Sequence, residues 1–131
     1  MKTLYSLLFC LAGLLPTKNN TQSENLDTNV LVGNWTLDMS PHNKTDNNFA
    51  MMEITRIGDN SFEGEFYRKG VQIRSAQINT QLGIIYASLI SGDGSGTYNT
   101  SFYFKEGVLH GSTHAVDRNF LAVWTAVKTK R

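Results

Sequence analysis

The histidine pair in His110-Gly-Ser-Thr-His114 is the part of the chain whose residue types and spacing come nearest to a metal site. On a β-strand the two side chains share a face but stand about 13 Å apart, at roughly 3.3 Å per residue. Zinc ligands each lie ~2 Å from the ion, so one ion cannot reach both histidines without a bend in the chain. The glutamate of a helical zinc-protease motif is absent, and the Gly-Ser interior disfavours a helix. We therefore predict no metal site and no cofactor.

Acid–base chemistry is the second option for these histidines. Imidazole titrates near neutral pH, and Asp117 lies close enough in sequence to orient His110 or His114. No activated nucleophile accompanies them, since a hydroxyl near a histidine in sequence is not a triad. We assign no catalytic residue and favour a non-enzymatic role. An isomerase-like or hydrolytic enzyme stays as an alternative that requires a histidine hydrogen-bonded to a carboxylate.

The glycine-rich segment Gly92-Asp-Gly-Ser-Gly-Thr97 has the composition of a phosphate-binding loop. Such a loop leads from a strand into the N-terminus of a helix. This one leads into Tyr98–Phe104, where polar and aromatic residues alternate as on a strand. The segment is therefore predicted to be a hairpin turn.

The N-terminus has the order of a signal peptide. Lys2 supplies a positive charge, residues 4–15 are almost uninterruptedly apolar, and Pro16 opens a polar stretch. The apolar run is little more than half of the ~20 residues that span a bilayer, so we expect no stable membrane insertion. We predict a leader over residues 1–22, with cleavage between Gly13 and Ser23, and a secreted or periplasmic protein.

Composition bears on how the chain is stabilised and on its class of partner. Cys10 is the only cysteine and lies within the leader, so the exported chain would be stabilised by core burial without disulfides. Twelve Lys and Arg stand against eleven Asp and Glu, and loss of Lys2 and Lys18 leaves ten against eleven. This balance predicts no nucleic-acid partner. Residues 23–29 are polar and aperiodic, as in a flexible tether.

From residue 30 the chain is patterned as strands. Period-two alternation is typical of strands because successive side chains point to opposite faces of a sheet. Turn residues such as Gly58-Asp59-Asn60, Lys69-Gly70 and Glu106-Gly107 separate the alternating segments. The predicted strands are 30–39, 48–57, 61–67, 71–79, 83–91, 98–104, 108–113 and 120–128.

Eight strands with short connections and no helical stripe predict one all-β domain over residues 30–131. Short links favour antiparallel pairing of sequential strands. We predict an eight-stranded up-and-down barrel, because closure removes exposed sheet edges. A two-sheet β-sandwich is the alternative.

Gly33-Asn34-Trp35, at the start of the first strand, resembles the Gly-x-Trp signature of the lipocalin and wider calycin group. The resemblance covers this tripeptide and the strand order; the family's Thr-Asp-Tyr motif has no counterpart. It implies a barrel that holds a small, often apolar, ligand. It also implies that Trp35 closes the barrel bottom beneath a basic residue, which Lys128, Lys130 or Arg131 would supply.

The predicted function is noncovalent binding of a small apolar or amphipathic molecule. An eight-stranded barrel either is filled by side chains or holds one small ligand. The residues expected to line the cavity are Phe66, Tyr86, Phe102, His110 and Trp124, with Arg56 or Arg74 available for an anionic group. The loop Ser40–Asn47 is expected over a barrel mouth as a lid.

A second hypothesis is an interaction module. In that case the barrel is filled, and aromatic residues such as Tyr67 and Tyr103 on its outer wall contact a macromolecule. The sequence leaves open the ligand, the oligomeric state, the glycosylation state and the leader cleavage site.

Overall fold

The structure of the protein, a computed structural model, describes residues 26–130 and contains one antiparallel sheet of eight strands. A 3-10 helix, Thr28–Leu31, precedes the sheet, and a second, Val116–Arg118, lies between the last two strands. The strands are β1 Gly33–Asp38, β2 Phe49–Gly58, β3 Ser61–Tyr67, β4 Ile73–Asn79, β5 Ile85–Asp93, β6 Gly96–Lys105, β7 Val108–Ala115 and β8 Phe120–Lys128. The predicted all-β class and eight-stranded barrel are confirmed, and the sandwich is not formed.

The sheet curls into a nearly closed barrel. Its strand order is β3-β2-β1-β8-β7-β6-β5-β4, so β1 pairs with both β2 and β8. The remaining junction, between β3 and β4, is a seam that carries one isolated bridge, Glu65↔Gln72. Two further backbone hydrogen bonds cross near its ends, from Phe66 N to Val71 O at 2.9 Å and from Ile78 N to Asn60 O at 2.8 Å.

Alternating side chains of every strand point inward and form the core. On β5, for example, Ile85, Ala87 and Leu89 are buried while Tyr86 and Ser88 face out. Burial of such apolar side chains contributes about 1.5–3 kcal/mol for each large one. The largest side chains that are fully buried in the described chain are Trp35, Trp124, Phe66, Leu31, Leu37, Met52, Ile54, Leu89 and Leu109.

Strand ends follow local turn chemistry. Glu106 and Gly107 have φ of 51° and 81°, the positive values that a two-residue hairpin of the primed type requires. Between β5 and β6, Ser95 N donates to Asp93 Oδ1 at 2.8 Å, which fixes an Asx-type turn. The predicted hairpin at 92–97 is therefore confirmed, since Asp93 pairs with Gly96 across it.

Trp35 closes one end of the barrel, here called the bottom. Its Nε1 donates to Leu31 O at 2.8 Å in the first 3-10 helix. The Lys128 ammonium lies 5.4 Å from the Trp35 ring centroid and donates to Val32 O. A basic residue near the final strand thus covers Trp35, as the resemblance implied, and that residue is Lys128; Arg131 lies outside the described residues.

The predicted leader falls on residues 1–22, which also lie outside the described part of the chain. Within residues 26–130, both helical segments are far too short to cross a bilayer.

Candidate functional site

A small pocket of about 100 Å³ opens at the barrel end opposite Trp35. At this end β1, β3 and β7 finish and β6 and β8 begin. We call it the mouth pocket. Its lining residues are Met39, Phe66, Tyr67, Tyr98, Thr113, Ala115, Arg118, Phe120 and Ala122.

The floor of the mouth pocket is held by a buried polar network. Thr113 Oγ1 lies 2.9 Å from Thr100 Oγ1 and accepts a hydrogen bond from Trp124 Nε1 at 3.0 Å. All three side chains are buried. Gly111 permits this arrangement, because a Cβ at that position would overlap the Trp124 ring. The floor therefore combines an apolar surface with hydroxyl groups whose positions are fixed.

The rim of the pocket is organised by Asp93. Its carboxylate accepts from Ser95 Oγ at 2.6 Å and from Tyr67 and Tyr98 hydroxyls at 3.1 and 3.3 Å. The Arg68 guanidinium forms a salt bridge with it at 3.0 Å. The Tyr67 and Tyr98 rings meet edge to face with centroids 5.0 Å apart. Two tyrosines that line the pocket are thus oriented by one carboxylate.

This network shifts the titration of its members. Hydrogen bonds from the Ser95 side chain and backbone hold the pKa of the Asp93 carboxyl well below its usual range. The neighbouring Tyr98 hydroxyl, burial and Asp93 together raise the pKa of Tyr67 to about 12. At neutral pH the rim therefore presents an ionised carboxylate that is already hydrogen-bonded and a protonated phenol.

Arg118 brings a positive charge to the pocket from the second 3-10 helix. Asp117 anchors that turn by accepting from Thr97 N at 3.0 Å, and Asn119 ends it with a left-handed backbone at φ 49°. Within residues 26–130, Arg118 has no carboxylate oxygen within 4.0 Å, whereas Arg68 is paired with Asp93. Arg118 is therefore the guanidinium at the rim that is able to meet an anionic group without breaking an ion pair.

Four of the five residues predicted to line a cavity, Tyr86, Phe102, His110 and Trp124, border one concave feature, the outer groove described below, and not the mouth pocket. Phe66 lines the mouth pocket, and Trp124 and Phe102 are buried in the layer below it, 6.2 Å apart. Tyr86 and His110 point outward on β5 and β7. Arg56 and Arg74 are exposed on β2 and β4, Arg74 beside Gly92. Met39, directly before the predicted lid Ser40–Asn47, lines the pocket.

Sequence reasoning missed the rim residues Asp93, Tyr98 and Arg118, and it expected Tyr67 on the outer wall, whereas Tyr67 lines the mouth pocket. A usable signal existed, because alternate connections of an up-and-down barrel share one end. The connections β1–β2, β3–β4, β5–β6 and β7–β8 all lie at the mouth. Residues just before and after them are therefore neighbours in space although they are far apart in the sequence.

A second concave feature lies on the outer surface. Outward side chains of β4 to β8 enclose a groove of about 840 Å³, which is open to solvent. Along one side of it Tyr103 stacks on His110, with ring centroids 4.8 Å apart and planes 16° apart. Tyr86 continues this line, its centroid 6.0 Å from that of Tyr103.

His110 and His114 lie on the outer face of β7, away from the mouth pocket. Among residues 26–130 neither His110 nor His114 forms an ion pair with a carboxylate. Asp117, the predicted orienting group, is bound to the backbone of Thr97 instead. Residues 26–130 contain no group of three or more His, Cys, Asp or Glu side chains that could hold a metal ion.

Comparison of the chain with protein-family models, with curated proteins and with solved structures finds no match.

Proposed function

We propose that the protein is an exported binding protein of the lipocalin-like kind, whose mouth pocket receives the apolar end of a small amphipathic molecule. The observation that carries this proposal is the pocket itself. It has an apolar wall of Phe66, Phe120 and Ala122 beneath a rim that bears Tyr67 and Arg118. A concave apolar site with a few convergent polar groups is the usual form of a small-molecule site.

The size of the pocket limits the ligand. About 100 Å³ is less than the roughly 150 Å³ of an engineered cavity that admits benzene. Two tryptophans and several phenylalanines occupy the interior below. The ligand we propose therefore inserts only a short aliphatic end, and its polar end stays at the rim. Arg118 favours an anionic head group there, since a guanidinium forms charge-assisted hydrogen bonds with carboxylates.

The proposal is tested by titrating the protein with hexanoate and with hexanol while recording backbone amide shifts by NMR. We expect both probes to shift the amides of Thr113 and Ala122. Ala122→Leu should abolish these shifts by filling the pocket. Val127→Ala, on the same strand but facing out, is the matched control and should leave them unchanged.

A second variant separates the head group from the apolar end. Arg118→Gln should weaken hexanoate binding by about three- to tenfold and leave hexanol binding unchanged, because only the carboxylate uses the guanidinium. Shifts confined to the outer groove, or no shifts in a folded protein, would contradict the proposal.

The outer groove favours the second hypothesis, a surface that contacts a macromolecule. Tyr103 and His110 stand there in a stacked pair on a wall of small polar residues. Aromatic residues are enriched at protein interfaces.

A further inference from the structure

The outer wall formed by β4 to β8 carries three rows of side chains, each running across all five strands in register. We call these fifteen positions the neutral wall. The aromatic row is Asn79, Tyr86, Tyr103, His110 and Thr125; the serine row is Gln77, Ser88, Ser101, Ser112 and Val123; the third row is Ser75, Ile90, Asn99, His114 and Leu121.

None of the fifteen positions is Lys, Arg, Asp or Glu, and none is buried. The chain as a whole is 18% charged, so fifteen average positions would hold about three charges, and a soluble surface would hold more. The opposite side of the barrel does carry charged side chains, since β2 and β3 present Glu53, Arg56, Glu63 and Glu65. Depletion of charged residues and exposure of aromatic side chains are two features of an interface core.

Four of the nine large apolar side chains that are exposed in the described chain lie on this wall. Leu121 and Val123 on β8 are 61% and 63% exposed, and Ile90 and Tyr86 on β5 are about 40% exposed. Solvation of such side chains is unfavourable by roughly 25 cal/mol per Å². Association of the wall with another surface would remove this cost.

The relief of the wall is complementary to itself. Ser88, Ser101 and Ser112 are small residues that line the groove, and the rings of Tyr86, Tyr103 and His110 form a ridge beside them. A two-fold axis lying parallel to the rows, between ridge and groove, would place the ridge of each copy in the groove of the other. Such reciprocal contact is what an isologous dimer requires.

The size and the charge of the neutral wall are both compatible with a second copy of the chain as the partner. Because the sheet curls, a second copy faces about three of the five strands at once, and at ~4.8 Å spacing with rows ~6.7 Å apart these cover roughly 14 by 20 Å. A corrugated patch of that extent offers on the order of 300–500 Å² of accessible surface per partner, the size of a weak, concentration-dependent contact. Identical copies repel wherever they bring like charges face to face, and the neutral wall avoids this.

We infer that the neutral wall is a homodimer interface in which the aromatic row of one copy packs into the serine row of a second copy. The Tyr103 and His110 rings are stacked before association, so these two side chains lose little entropy on binding. The inference is independent of the ligand proposed for the mouth pocket, which opens at the end of the barrel and not on its side.

The test is sedimentation velocity on protein produced from the full chain, over a concentration series up to about 100 µM. We expect a dimer that Ser101→Arg dissociates, with at least a tenfold increase in the dissociation constant. Thr55→Arg adds the same charge at an exposed position of β2 and should leave the dimer intact. Both positions are exposed, so neither variant disturbs the core.

A mixed sample of labelled and unlabelled protein identifies the contact. Isotope-filtered NOEs should connect the Tyr103 ring of one copy to Ser101 of the other. A wild-type protein that is monomeric at 100 µM would overturn the inference and leave the wall to a different partner. A dimer that Ser101→Arg leaves unchanged would also overturn it, by placing the interface elsewhere.

Discussion

Two buried hydroxyls, Thr113 and Ser91, differ in what surrounds them. Thr113 Oγ1 takes part in two hydrogen bonds, with Thr100 and with Trp124. Ser91 Oγ is equally buried but has no hydrogen-bond partner within residues 26–130. A buried polar group stabilises only when its hydrogen bonds are made. Removal of the hydroxyl group should therefore destabilise the protein at Thr113 and should not destabilise it at Ser91.

We expect Thr113→Val to lower the free energy of unfolding by about 1–3 kcal/mol, because it leaves Trp124 Nε1 buried without an acceptor. Ser91→Ala should be neutral or stabilise by up to about 1 kcal/mol. Urea denaturation of both variants measures the difference. A loss of stability in Ser91→Ala comparable to that in Thr113→Val would show that Ser91 Oγ is satisfied after all.

The hydrogen-bond network at the rim can be tested through the titration of the Tyr67 phenol. Its pKa is raised to about 12, so between pH 10 and 12 the folded protein holds a proton that the unfolded chain has released. The stability linked to this phenol is complete below pH 10 and is lost as the pH rises through 12. Tyrosinate absorbance should therefore show one late-titrating group that disappears in Tyr67→Phe and persists in Tyr103→Phe. Titration of every tyrosine near pH 10 would contradict the network.

At the scale of elements, the seam between β3 and β4 is the weakest junction in the described sheet. The β6–β7 junction has eight registered pairs, from Tyr98↔Ala115 to Lys105↔Val108. The seam has a single bridge and two flanking hydrogen bonds. Strands that share few hydrogen bonds open locally at lower free energy.

Amide hydrogen exchange should expose this difference. We expect amides of β4 that bond neither β5 nor, as Ile78 does, Asn60 to exchange on the order of a hundredfold faster than paired amides of β6 and β7. The β6–β7 amides serve as the internal reference in the same sample. Uniform protection around the barrel would mean that β3 and β4 are joined along their whole length in solution.

The eight strands were predictable because apolar alternation and turn chemistry are local properties. Predicted and observed strand ends agree within three residues; β5, for instance, was expected at 83–91 and runs from Ile85 to Asp93. The pairing order of an up-and-down barrel then follows from short connections. The contact between Trp35 and a basic residue near the last strand was also anticipated, through the Gly-x-Trp resemblance.

The inward face of each strand was harder to predict than the strand itself. On β5 the inward residues include Ala87 and Ser91, while the larger Tyr86 and Ile90 face out. Large apolar side chains therefore do not mark the inward face of a strand where the outer surface is itself partly apolar. Tyr86 and His110, which were expected to line an interior cavity, face out and border the outer groove instead. The mouth pocket was missed because its residues come together only when alternate turns meet at one end.

For the whole molecule, the position of β1 between β2 and β8 has a consequence for chain connectivity. Trp35 pairs with Lys128, and Thr129 N donates to Asn34 O at 2.8 Å, so the beginning and end of the barrel segment are neighbours. The sheet is interrupted instead at the seam, beside the connection 68–72. A circular permutant that joins residue 130 to residue 26 by a flexible linker and is cut within 68–72 would run from β4 to β8 and on through β1 to β3. Every strand would then pair with the next one along the chain, and the most distant contact of the natural sequence would become a local hairpin.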